Sequence, residues 1–242
     1  MKWLREMQAP QGRSSHQLLA CPHAGGWSSS FVSWQRNVPA AVQFLVAQLP
    51  GREKRAAEKN ATSLREVVAG VVDELPDSPA PLTVLGHSFG AVVAYEIVRS
   101  LRASGRPVRL LAVSGRQPPC FPSEAPFASD ASCEDLLARL VDMGGVSSSL
   151  RDRPTLMEPF IEAIRGDLRL MEQYQRPPSP CDVPITAIHA RQDPVVMGDR
   201  MRLWGVETTA LFSYIEVEGD HFGILQEPQT RELLKRLGLS SR

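Results

Sequence analysis

Ser88 stands in Gly86-His87-Ser88-Phe89-Gly90, between a short apolar run at 81–85 and a helix-like run at 91–98. A serine in so sharp a turn between strand and helix takes strained backbone angles and projects its Oγ above the sheet edge, as a nucleophile needs. The turn is crowded, so glycine is required two residues before and two after, and small Ala91 helps the helix approach. A serine hydroxyl is a poor nucleophile until a base removes its proton, and the base needs an orienting carboxylate. Of the five histidines, only His221 follows every remaining core strand, in the loop Glu218-Gly219-Asp220-His221-Phe222. Asp193, a few residues beyond the strand at 184–189, is the best-placed carboxylate. Asp182 precedes that strand and lies at the wrong end, Asp199 falls on the following helix, and Asp220 is too close in sequence to reach the ring. Asp193 also suits a plain turn before Pro194. A tetrahedral intermediate needs two N–H donors. The backbone of Phe89 is one. Ala24, in Pro22-His23-Ala24-Gly25-Gly26, is the second, with Gly25 as the alternative, because the glycines let backbone approach a reacting carbonyl.

The elements that must hold these groups follow from periodicity and punctuation. Strands are expected at 16–21, ending before Pro22, and at 42–48, closed by Pro50-Gly51. Others are expected at 81–85, 109–114, 184–189 and 210–217, after a polar leader. Ser63 and Glu66 form a capping box, each satisfying a free N–H at the start of a helix that runs to about residue 75. Another helix occupies 228–237. Regular alternation breaks from Gln117 to Pro180, where Pro118, Pro119 and Pro122 lead into helices centred on 134–143 and 156–174. The expected fold is a single α/β-hydrolase domain over 1–242. It has a mostly parallel central sheet, helices on both faces, and a helical insertion at 117–180 acting as a lid.

Composition removes several alternatives. Lys+Arg and Asp+Glu both number 27, so there is no global charge to favour nucleic acid or a membrane surface. Cys21, Cys120, Cys133 and Cys181 form no CxxC pair, so neither zinc nor redox chemistry is implied. No apolar run approaches membrane-spanning length, and the first 15 residues do not read as a signal peptide, which points to the cytoplasm. His23 and His87 flank the site, while His16 and His189 read as packing or surface residues. Cys21 reads as strand-end packing rather than a nucleophile. Met143, Met157 and Met171 are core fillers or an adaptable acyl surface. Arg151, Arg153, Arg165, Arg169, Arg200 and Arg202 are a solvated face or a basic patch for an acidic partner.

Six segments occur in order: Cys21-Pro22-His23-Ala24-Gly25-Gly26, Leu49-Pro50-Gly51-Arg52-Glu53, the Ser88 turn, Ser114-Gly115-Arg116, Met143-Gly144-Gly145 and Gly219-Asp220-His221-Phe222. Together they resemble the type II thioesterases, the free-standing enzymes that accompany polyketide synthases and non-ribosomal peptide synthetases. The resemblance runs from about residue 18 to 237. It implies hydrolysis of acyl thioesters from the phosphopantetheine arm of acyl or peptidyl carrier proteins, without a cofactor or metal of the chain's own. The implied role is editing of aberrant or stalled chains. Gly25 and Phe222 are expected to contact substrate, and the working unit is expected to be a monomer. Phe89 stands where methionine is commoner, and Cys21, Asp220 and Gly223 also depart from the usual pattern without removing a catalytic group. The alternatives are a small-molecule carboxylesterase or lipase, a catalytically silent scaffold that binds carrier protein, and a domain cut from a synthase terminus.

Overall fold

The computed structural model describes residues 2–121, 128–150, 153–176 and 178–239. Pro122 and Arg151, singled out above, lie outside them.

The core is one seven-stranded sheet. Its strands are β1 (Leu4–Gln8), β2 (His16–Cys21), β3 (Val42–Ala47), β4 (Leu82–His87), β5 (Leu110–Ser114), β6 (Ile185–Ala190) and β7 (Phe212–Val217). Their spatial order is β1-β3-β2-β4-β5-β6-β7, and every pairing is parallel except β1 with β3. Strands β2, β4 and β6 are buried along their whole length, and β3 and β5 at all but one residue each, as strands covered on both faces are. Alternate residues feed different layers. Leu19, Cys21, Val84 and Val113 pack with α2 (Leu64–Glu74) and α3 (Phe89–Ala103) on one side. Leu18, Ala20, Leu85 and Ala112 pack on the other side with Trp34 of α1 (Val32–Asn37) and Leu233 of α7 (Gln229–Arg236). The mostly parallel sheet sandwiched by helices is the α/β-hydrolase architecture expected.

Strand β1 was hidden in the polar leader. As an edge strand it buries only Leu4 well and exposes Arg5 and Glu6, so it lacks the apolar run that marks the inner strands. The capping box at α2 is shifted by one residue from expectation. Ser63 Oγ accepts the Glu66 N–H at 3.2 Å, but the Glu66 carboxylate takes the N–H of Thr62 at 3.0 Å.

Between β5 and β6 lie α4 (Cys133–Asp142) and α5 (Pro154–Glu172), followed beyond β6 by the short α6 (Gly198–Arg202). Helices α4 and α5 bury a small cluster of their own, Leu136, Leu137, Leu140, Ile161 and Ile164. Polar pins fix both ends of this excursion to the core. The buried Glu207 carboxylate accepts from the Cys120 N–H at 3.0 Å on the way out and from Arg176 Nε at 2.9 Å on the way back. The Tyr95 hydroxyl of α3 adds a third bond at 2.9 Å. Burial opposes ionisation of Glu207, but the bonds from Arg176, Cys120 and Tyr95 outweigh it and hold the carboxyl below its ordinary value. The indole N–H of Trp204 donates to Arg116 O at 2.7 Å beside them. Among the described residues no helix is long and apolar enough to cross a membrane.

Candidate active site

Strand β2 pairs with β3 on one side and β4 on the other, so the loops leaving β2 and β4 diverge at their carboxyl ends. A crevice opens at such a switch in strand order. Ser88 emerges from β4 at this point with φ 55° and ψ −119°, a conformation that L-residues rarely hold. It is fixed there by its N–H on Ser114 O at 2.7 Å. A side chain at Gly86 would collide with the Gly90 carbonyl, and one at Gly90 with the Cys21 carbonyl, which explains both glycines. Although serine is a favoured helix cap, the Ser88 side chain does not cap α3. Its hydroxyl is therefore not committed to the helix it begins.

His221 follows β7 and Asp193 follows β6. The imidazole Nδ1 lies 3.0 and 2.9 Å from the two oxygens of Asp193, and both side chains are 1% exposed. Asp193 is also a turn-former, since its Oδ1 accepts the Val195 N–H at 2.8 Å, so one residue does both jobs. The other carboxylates are occupied elsewhere. Asp182 pairs with Arg102 at 2.6 Å, Asp199 accepts its neighbour's N–H, and Asp220 accepts the Phe222 N–H at 3.0 Å.

Ser88, Phe89, Ala24, His221 and Phe222 line one cavity of about 340 Å³. Its opposite wall comes from the insertion: Leu140, Met143, Ile164, Leu168 and Met171. Two of the three methionines singled out thus face the cavity, and Met157 packs instead within the insertion's own cluster. The wall suits an acyl chain, being apolar and partly made of adaptable thioethers. Arg200 also reaches this cavity, and Arg165 pairs with Glu162 at 3.2 Å.

Phe89 is the first residue of α3, where N–H groups have no partner inside the helix. In the β2 loop the donors sort themselves. The Gly25 N–H is taken by Asp167 of α5 at 2.7 Å, and the Gly26 N–H by His23 O at 2.8 Å. Neither of those two amides is open to a substrate, and Ala24, beside His23, lies on the cavity wall. Gly25 itself is not among the lining residues; with φ +68° it lies against Ile164, where any side chain would collide.

Burial pushes His23 down to about 4, against a smaller opposing effect of its bond to Ala24 O. The neutral ring donates from Nδ1 to that carbonyl at 3.0 Å and accepts from Ser30 Oγ at 3.3 Å. His87 is wholly buried, 4.9 Å from the His221 ring centroid, and burial holds it well below the ordinary histidine range. Both rings are therefore neutral near pH 7. His16 bonds Thr83 Oγ1 at 2.9 Å, away from the site. Burial raises the Cys21 thiol above its ordinary value, so it stays protonated packing. Among the described residues no group of three or more His, Cys, Asp or Glu could hold a metal.

Sequence reasoning missed Asp167, Arg52 and the Pro194–Met197 side of the cavity. Arg52 sits in a motif segment, which was the available signal; Asp167 carries none, because its role depends on a loop 115 residues away in the chain.

The thioesterase domain family matches residues 16–239. The gramicidin S biosynthesis protein GrsT of Aneurinibacillus migulanus is 31% identical, over 85% of this chain and 82% of its own. The solved structure of RedJ, a thioesterase from the prodiginine pathway of Streptomyces coelicolor, is 30% identical with a TM-score of 0.83, over 93% of this chain and 90% of its own. YbtT, the type II thioesterase of the yersiniabactin pathway, superposes at a TM-score of 0.87 with 27% identity, over 97% and 96%. With an acyl-sized cavity beside a strained serine and a carboxylate-bound imidazole, the chain belongs to the thioesterase domain family and is a type II thioesterase, an α/β-hydrolase that cleaves thioesters.

Proposed function

We propose that the enzyme removes acyl groups from the phosphopantetheine arms of acyl or peptidyl carrier proteins through an acyl-Ser88 intermediate. It edits stalled chains in a cytoplasmic polyketide or non-ribosomal peptide assembly. The observation that carries this is the His221–Asp193 pair, buried and bonded at 2.9 Å, whose imidazole lines the cavity together with Ser88. Asp193 takes the Nδ1–H of His221, which leaves the Nε2 lone pair as the base. Nε2 accepts the Ser88 proton as Oγ bonds to the thioester carbon, and the oxyanion is held by the Phe89 and Ala24 N–H groups. Collapse breaks the C–S bond, and the departing pantetheine sulfur takes the proton from imidazolium. Water then attacks the acyl ester with His221 again as base, which releases the carboxylic acid and restores Ser88. No step calls for a cofactor; phosphopantetheine belongs to the carrier protein.

Support for the carrier-bound substrate comes from the relatives, which are named for gramicidin S, prodiginine and yersiniabactin biosynthesis. The methionine-lined wall suits the varied acyl groups an editing enzyme meets. The test compares turnover of an acyl-pantetheine thioester with that of its oxygen ester, for wild type and Ser88→Ala. Preference for the thioester, abolished in Ser88→Ala, is expected. Preference for the oxygen ester would indicate an esterase, and equal slow release by both proteins would indicate a silent scaffold.

A further inference from the structure

A buried ion pair outside the catalytic set touches the oxyanion loop. Asp167 of α5 and Arg52 of the loop after β3 are 2% and 3% exposed and meet in a two-pronged bridge, Nη1 to Oδ2 at 2.6 Å and Nη2 to Oδ1 at 2.7 Å. Burying such a pair is costly, and apolar residues of similar volume commonly serve stability as well. What apolar residues cannot supply is the third bond here: Asp167 Oδ2 also accepts the Gly25 N–H at 2.7 Å. That N–H shares a peptide plane with the Ala24 carbonyl, which receives the His23 ring at 3.0 Å. The Ala24–Gly25 peptide is thus gripped at both of its polar ends.

Holding that plane anchors the C-terminal side of the Ala24 α-carbon, while the Gly26 N–H on the His23 carbonyl at 2.8 Å holds the preceding plane, which carries the Ala24 N–H; with both planes held, the aim of that N–H is set. An oxyanion donor works only within about 2.7–3.1 Å of the developing charge, so a small rotation matters. Arg52 has no acceptor to offer; its fork keeps the Asp167 carboxylate in one orientation. Ile164 and Leu168 of the same helix line the cavity on either side of Asp167 in sequence.

We propose that Asp167, oriented by Arg52, is a positioning residue of the oxyanion hole: it sets the Ala24 N–H by holding the Ala24–Gly25 peptide. The inference rests on the acyl-Ser88 reading. Two variants test it, Asp167→Asn and the double replacement Arg52→Met with Asp167→Leu, which removes the pair without stranding a charge. Each is assayed for kcat and KM on an acyl-pantetheine thioester, for thermal unfolding, and for inhibition by an alkyl boronic acid, whose tetrahedral Ser88 adduct mimics the oxyanion.

The double variant is expected to remain folded and to lose kcat about 100-fold, as removal of one oxyanion donor does. Its boronate affinity should weaken in step while KM stays within about twofold of wild type. Asparagine keeps one acceptor oxygen for Gly25, so Asp167→Asn is expected to recover most of the loss, to about tenfold below wild type. A folded double variant with wild-type kcat and boronate affinity, or a loss confined to KM, overturns the inference. Should the double variant fail to fold, Asp167→Asn decides alone, and unchanged kcat and boronate affinity there overturn it. Ser88→Ala run alongside keeps the two readings apart. Retained turnover in Ser88→Ala removes the acyl-serine reading and this inference with it. An inactive Ser88→Ala beside an unaffected pair variant removes the inference alone.

Discussion

The two walls of the cavity are built in different ways. On the sheet side, Ser88, Asp193 and His221 stand on loops that directly follow β4, β6 and β7. The parallel ladder fixes the ends of those strands relative to one another, Gly86 against Val113 and Ile188 against Ile215. Few freely rotating bonds separate the ladder from the reacting atoms. On the insertion side, α4 and α5 share only a small apolar cluster and leave Leu156 of α5 65% exposed. They are held to the core by Leu170 of α5, which joins the main apolar cluster, and by polar pins at Glu207, Trp204 and Asp167. The contrast suits the division of labour in a thioesterase of this class. Chemistry needs groups fixed to within tenths of an ångström, whereas a wall that admits different acyl chains gains from being tied at points rather than packed throughout.

Changes on the sheet side should have the largest effect on rate. Asp193→Asn would offer its amide where Nδ1–H now donates and favour the wrong imidazole tautomer, so kcat should fall by about 10⁴-fold. Steady-state hydrolysis would show it, with KM little changed. A loss under tenfold would mean that Asp193 serves only its turn.

A pin at the insertion's base should act first on stability. Glu207→Ala strands the Tyr95 hydroxyl and the Cys120 N–H and loosens Arg176, at a cost of about 1–3 kcal/mol. Urea titration measures it, and limited proteolysis should find the new cleavage sites between β5 and β6 rather than in the sheet. Cleavage spread evenly over the chain would erase the distinction between the two walls.

The insertion's inner face should govern which acyl chain fits. Leu168→Ala is expected to shift the preferred chain toward greater bulk and to lower kcat/KM for short chains about tenfold. A profile over carrier-bound acyl groups checks this, and an equal loss for every chain length would place Leu168 in the fold rather than the specificity.

The gentlest effect is that of pH on stability. His16 and His23 are each pushed down to about 4, by burial first, with Arg109 assisting at His16. The unfolded chain therefore takes up protons near pH 6.5 that the native state refuses, and stability, complete above that pH, declines as pH falls toward 4. Replacing His16 with Gln should flatten part of the slope in urea midpoints measured across this window. An unchanged slope would assign the acid sensitivity to the cluster around His23 and His87.

Much of this was already legible in the chain. The inner strands announced themselves because a central parallel strand is buried on both faces and must be a short apolar run. The strained turn at Ser88 was legible because it tolerates only glycine at 86 and 90, a local constraint with a fixed spacing. His221 and Asp193 could be placed by asking which loops leave the carboxyl ends of strands. The edge strand β1 escaped that logic, since one buried leucine among polar residues leaves no periodicity to read. Folding alone decided that the Gly25 N–H in the 22–26 loop is taken, because Asp167 reaches it across 142 positions of sequence. Short-range patterns fix what a backbone must do locally. Which distant carboxylate meets which free amide is settled only when a helix packs against a loop.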